Sequence, residues 1–296
     1  MLDDMGKKVA TPGDSVKLPV PRRAPENFPV ASRLLPASLR PSVAAFYDVV
    51  RAADDLADDP ALPRDEKLAG LDAIEDALDG APWSPVDRLR AALGTIGRQG
   101  AMGHVRTMLG AFRADARGET CADWDDLLAY CDLSAVPVGR FLLDLHGETS
   151  FPARTASDDL STALQILNHI QDMGADRRAL GRLYLPETLI VEAGADTSDL
   201  RRPALTPALR GAVDDALART DALLDRASPL PALLSARGLA AEAAAILSLA
   251  RALLRRLKAG DMLAGRVTAR RSDWARAGLA GLARLARPGP LGTRAA

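Results

Sequence analysis

SVAAFYDVVRAADDLADD, residues 42–59, decides the fold. Pro41 stands where the first turn of a helix tolerates proline, and Pro60 stops the run. Between them Tyr47, Arg51, Asp54 and Asp58 recur at i, i+4, i+7 and i+11, which is one stripe on a helix of 3.6 residues per turn. Val43, Ala44, Val50 and Ala53 fill the same segment, so the stripe belongs to a helix with the composition of a buried one. Carboxylates stacked one turn apart repel each other unless something positive neutralises them.

The pattern returns far downstream. Gln165, Asn168, Asp172 and Asp176 are spaced i, i+3, i+7 and i+11, again one stripe, in a segment that also carries Leu164, Leu167 and Ile170. Around these two segments the chain is rich in Ala, Leu, Arg, Asp and Glu, with few β-branched runs and no row of alternating strands. The reading is all-α. Further helices are expected near 64–79, 85–98, 100–116, 123–132, 156–178, 205–227 and 238–259. SAVPVGRFLLDLHG (134–147) carries Pro137 and Gly139 inside an apolar stretch, which predicts a kinked or broken helix. GRLYLPE (181–187) reads as a loop or short turn.

With no Gly/Ser linker in the middle and no fixed-period repeat, one domain over 23–265 is preferred, preceded by a mobile leader at 1–22. Residues 266–296 are set apart. Arg266, Arg270, Arg271, Arg276, Arg284 and Arg287 alternate there with Trp274, Leu279, Leu282 and Leu285. This basic tail fits either a surface-lying peripheral membrane anchor or a frayed terminal helix.

Composition removes several classes of function. The 296 residues are 48% hydrophobic, enough for a large core, and 38 Lys and Arg against 39 Asp and Glu leave no global positive charge for nucleic acid. Two cysteines, Cys121 and Cys131, exclude a disulfide scaffold and a four-cysteine zinc site. Two thiols without a secretory h-region fit the cytoplasm, and no apolar run reaches the ~18 residues of a membrane span. His104, His146 and His169 form no metal-binding pair, and GxSxG, P-loop and GxGxxG motifs are absent.

What remains is chemistry on the acidic stripes. Mg²⁺ takes oxygen ligands and commonly uses one or two carboxylates together with substrate phosphates. Two facing stripes of Asp and Asn can hold such ions with a diphosphate between them, and Arg51 adds a cation. Two of the three tyrosines, Tyr47 and Tyr184, lie on or just after a stripe; the third is Tyr130. Aromatic faces stabilise carbocations, and aromatic side chains also simply pack cores.

These segments resemble the squalene/phytoene synthase family. ENFPVASRLLP (26–36), FYDVVRAADDLADD (46–59), YCDLSAVPVGR (130–140) and LNHIQDMGADRRALGRLYLPE (167–187) carry the resemblance, which spans about 26–265. Within the family, ENFPVAS, SAVPVGR and NHIQD look most like the HpnC-type hydroxysqualene synthase branch of bacterial hopanoid pathways. The resemblance implies an isoprenoid synthase-type helical bundle with a central cavity. It also implies that Asp54, Asp58, Asn168, Asp172 and Asp176 bind Mg²⁺, with Gln165 beside them and Arg51 near the diphosphate. Phe28, Tyr47, Tyr130 and Tyr184 map onto its aromatic and cavity positions.

Condensing members often carry Arg-Asp where this chain has Gln171-Asp172, so one cation is missing and a substrate with a single diphosphate is implied. The implied reaction converts presqualene diphosphate and water to hydroxysqualene and diphosphate, with Tyr130 the candidate for placing the water. The alternatives are another head-to-head prenyl synthase, making presqualene diphosphate, squalene or phytoene, and a catalytically inactive helical assembly factor. Implied partners are an isoprenoid diphosphate and a presqualene diphosphate synthase as supplier; the basic tail, where it serves as an anchor, adds peripheral contact with the inner face of the membrane.

Overall fold

A computed structural model describes residues 34–287, and within them every regular element is helical. The first four helices are α1 (Arg40–Asp58), α2 (Arg64–Leu78), α3 (Ser84–Thr95) and α4 (Gly103–Arg117), the last preceded by a 3₁₀ turn at Gln99–Met102. Then come α5 (Trp124–Ser134), α6 (Val136–His146), α7 (Phe151–Ala179) and the short α8 (Glu187–Glu192). A 3₁₀ turn at Thr197–Arg201 leads to α9 (Pro207–Ala227), α10 (Leu230–Leu233), α11 (Arg237–Ala259) and α12 (Arg271–Ala286).

The capping chemistry explains several boundaries. Pro41 sits in the first turn of α1, where its missing N–H costs nothing. The Asp123 carboxylate accepts from Asp126 N (3.0 Å) and starts α5, and Thr206 Oγ1 accepts from Leu209 N (3.1 Å) to start α9. Buried Glu148 accepts from the amides of Ser235 (2.8 Å) and Ala236 (2.7 Å), fixing the entry to α11 from outside its own sequence.

At 134–147 the chain breaks rather than kinks. α5 ends at Ser134, Ala135 intervenes, and Pro137 lies in the first turn of a new helix, α6. Gly139 does not interrupt α6. It lets α6 approach α7 closely, because a Cβ there would stand 2.6 Å from Ser157 Oγ and 2.5 Å from Ser161 Oγ. α7 is longer than the spacing predicts, since Pro152 is accommodated in its first turn.

At 29 residues, roughly 43 Å, α7 is the spine: it packs against α5, α6, α9, α10 and α11. α1 packs instead on α2, α3 and α4. α1 and α7 are kept apart by a cavity that both of them line, the central cavity that the family resemblance implies.

The basic tail contains α12, which lies along α11 instead of fraying from it. Ala277 and Gly281 are buried at that contact, and Arg284 Nε donates to Pro231 O (2.6 Å). A Cβ at Gly281 would come within 3.1 Å of Ala241 O, so the two helices meet backbone to backbone. No helix among the described residues is long and apolar enough to cross a membrane. The leader at 1–22 and Phe28 lie outside the described residues.

Candidate active site

α1 and α7 present their stripes to one hollow. On α1, Arg51 pairs with Asp54 (3.2 Å) and Asp55 (2.8 Å). One turn on, Asp58 pairs with Arg182, which arrives on the loop after α7. On α7, Asp172 is clasped by Nε and Nη2 of Arg266 (2.7 and 2.9 Å). The rows feel each other across the gap. Burial pushes the Asp54 carboxyl up to about 7, and the neighbouring Asp58 charge adds to this against Arg51. Burial likewise pushes Asp176 up to about 6, helped by Asp172 and by Asp58 from the opposite helix.

Beneath the acids lies a second polar cluster. Asp115, on α4, is buried and accepts from the hydroxyls of Tyr130 (2.9 Å) and Tyr184 (2.7 Å). Arg182 Nε stands 4.0 Å from the same carboxylate, and Arg182 also donates to Ala57 O (3.3 Å). Burial raises Asp115, although Arg182 and the two phenols oppose the shift. Arg182 is itself held protonated: burial works against its charge, and Asp115 and Asp58 more than offset it. His169 stacks on Tyr184 with ring centroids 3.7 Å apart, and its Nε2 lies 3.1 Å from the Gln165 amide nitrogen. Burial, with Arg182 nearby, pushes His169 down to about 3, so it is a neutral stacking partner.

The far side of the hollow is apolar. A cavity of about 340 Å³, at the low end of the usual range of ligand pockets, runs from Tyr47 and Asn168 to Leu239 and Ile246. Phe46 and Phe141, stacked at 3.9 Å, form part of its wall. Tyr47, the first member of its stripe, and Asn168, the second member of the other, line the cavity, and the acids follow on the next turns of the same two helices.

Of the residues singled out in the sequence, Tyr47 and Asn168 line the cavity, and Arg51, Asp54, Asp58, Asp172 and Asp176 form the acidic mouth. Gln165, Tyr130 and Tyr184 belong to the polar cluster beneath. Sequence reasoning missed Asp115, Arg182, His169 and Arg266. GRLYLPE contained Arg182 in plain sight, without a spacing that linked it to Asp58. The missing cation beside Asp172 is also supplied: Gln171 is buried and donates to Val267 O, while Arg266 one residue away carries the charge.

Asp and Asn oxygens form the hard donor set that Mg²⁺ takes. Among the described residues, no three carboxylate, imidazole or thiol groups converge on one point.

Residues 21–274 match the squalene/phytoene synthase family. The chain is 41% identical to a hydroxysqualene synthase of Rhodopseudomonas palustris and 39% identical to one of Zymomonas mobilis, each over 82% of both chains. The crystal structure of squalene synthase HpnC from Alicyclobacillus acidocaldarius superposes with a TM-score of 0.69 at 32% identity, covering 78% of this chain and 87% of that one.

Proposed function

The chain belongs to the squalene/phytoene synthase family and is an enzyme of that type; on that footing we propose that it converts presqualene diphosphate and water to hydroxysqualene and diphosphate. The observation that carries the reading is an apolar cavity lined by Tyr47 and Asn168, on the two helices whose following turns bring the acids Asp54, Asp58, Asp172 and Asp176 into electrostatic contact. Such a cavity suits a molecule with one charged head and a long hydrocarbon body.

In the proposed mechanism the diphosphate lies at the acidic mouth. Asp54, Asp58, Asn168, Asp172 and Asp176 would hold Mg²⁺, which when bound neutralises charge on the departing diphosphate. Arg51, Arg182 and Arg266, each resting on a carboxylate, are the chain's own cations for the same oxygens. The carbon–oxygen bond to diphosphate breaks and both electrons leave with the diphosphate. Phe46, Phe141 and the surrounding leucines exclude bulk water from the cyclopropylcarbinyl cation left behind. Tyr47, which lines the cavity, would stabilise it through its aromatic ring. Ring opening and capture of one water give the alcohol, and no hydride donor is required.

Purified protein incubated with Mg²⁺ and presqualene diphosphate, without NADPH, tests this. The expected product is hydroxysqualene by mass, and removal of Mg²⁺ by chelation should stop diphosphate release. Product from farnesyl diphosphate alone would instead identify a synthase that joins two prenyl chains.

The substrate's hydrocarbon body also bears on location. The outward face of α12 exposes Trp274, Leu279 and Leu282 beside Arg276. This face is proposed to rest on an anionic membrane surface, where a presqualene diphosphate synthase would deliver its product. Co-sedimentation with anionic but not neutral vesicles is the expected result, and loss of it in Leu279→Glu is the check.

A further inference from the structure

Glu242 is the one carboxyl among the described residues that line the apolar cavity. It projects from α11, is 5% exposed, and its Oε2 has no hydrogen-bond partner among the described residues. Its neighbours along the helix wall are Leu239, Ala243 and Ile246, so a leucine at 242 would extend a continuous apolar surface. A buried oxygen left unpartnered costs on the order of 1–3 kcal/mol, and the cavity gives Glu242 no structural return for it. Burial alone pushes this carboxyl up to about 7, so near neutrality a substantial fraction is ionised and able to accept a proton.

The proposed reaction needs such a group at the greasy end. A water admitted to an apolar cavity needs two or more polar partners to stay there. Away from the acidic mouth, the cavity offers Glu242 and the hydroxyl-bearing Ser157 and Ser161 of α7. We propose that Glu242 holds the capturing water inside the cavity and takes the proton it loses. The inference rests on the reading of the enzyme as one that hydrates an allylic cation. A lone pair on the water oxygen forms the new carbon–oxygen bond, and one O–H bond of the resulting oxonium breaks. Its electron pair stays on oxygen, giving a neutral alcohol, and the proton goes to the Glu242 carboxylate. The carboxylic acid returns that proton to solvent as product leaves, so no oxidant or reductant enters.

The test compares full-length wild type, Glu242→Gln and Glu242→Leu with presqualene diphosphate and Mg²⁺, without NADPH. Diphosphate release and organic products are measured separately. Glutamine keeps the shape and loses the base; leucine removes the polar group altogether and guards against a glutamine variant that fails to fold. In both, alcohol formed per diphosphate released should fall by about tenfold or more, with hydrocarbon products of proton loss taking its place, while diphosphate release stays within about threefold. A merely structural role would lower both measures together and leave their ratio unchanged. A wild-type ratio in either folded variant overturns the role of Glu242 and leaves the reading of the enzyme standing. Wild type that releases diphosphate without making alcohol, or releases none, overturns both, and is recognised before any variant is examined.

Discussion

The two ends of the cavity treat charge in opposite ways. At the mouth, Asp54, Asp58 and Asp172 each rest against an arginine, and Asp115 beneath them is served by two phenols and a guanidinium. At the apolar end Glu242 stands without a partner for Oε2 among the described residues. The mouth pairs each of these acids with a cation, an arrangement that would suit the polyanionic leaving group of the proposed reaction. The apolar end holds one carboxyl and two serine hydroxyls with no counter-charge, which would suit the short-lived cation of the proposed reaction.

The contrast breaks most sharply at the mouth. If the proposed roles hold, Asp54→Ala and Asp172→Ala lower diphosphate release by about a thousandfold or more, because each removes a proposed ligand oxygen. Neither should lower the melting temperature appreciably, and Asp54→Ala should raise it at neutral pH, since it removes a carboxyl that burial and Asp58 push up to about 7. Wild-type turnover in both variants would end the assignment of the mouth.

A smaller loss is expected from Arg182→Ala. Arg182 is the cation shared by Asp58 and Asp115, and its removal leaves buried acid uncompensated, at a cost of about 3–5 kcal/mol in urea unfolding at pH 7. An unfolding midpoint equal to wild type would mean that the cluster beneath the mouth needs no positive centre.

At the other end, Glu242→Leu should stabilise the chain, by an amount that depends on pH. The folded-state value of about 7 lies above the ordinary 4.5, so the native chain holds a proton that the unfolded chain releases. Wild-type stability therefore falls as pH rises from about 4.5 to about 7. Leucine abolishes that loss, and the variant's advantage should be greater at pH 8 than at pH 4 by up to about 3 kcal/mol. An advantage equal at both pH values would show that Glu242 is not held in an apolar place.

The sequence makes the two stripes legible because their members are one or two turns apart, and helical periodicity projects such neighbours onto one face. It makes the all-α fold legible for the same reason, with prolines at the helix starts as punctuation. The cluster beneath the mouth is hidden because its pairings are long-range: Arg182 lies 124 residues from Asp58, and Tyr184 lies 69 from Asp115. Arg266 reads from sequence as part of a basic tail, yet it reaches back 94 residues to Asp172. Glu242 is hidden for a different reason. A single acid on an Ala-rich helix has the sequence signature of a solvated position, and only the packing of α11 against the cavity turns it inward. At Pro137 the sequence signals an interruption but not its form, because the outcome depends on how α6 closes onto α7 at Gly139.

Adjacent residues of α7 hold the connection between α11 and α12 by two different fastenings. Gln171 grips the backbone at Val267, and Asp172 grips the side chain of Arg266. An anion that draws the guanidinium away undoes the second clasp and leaves the first shut. Loss of the Arg266 pairing alone would thus leave the connection pinned at Val267 and the terminal helix packed on α11.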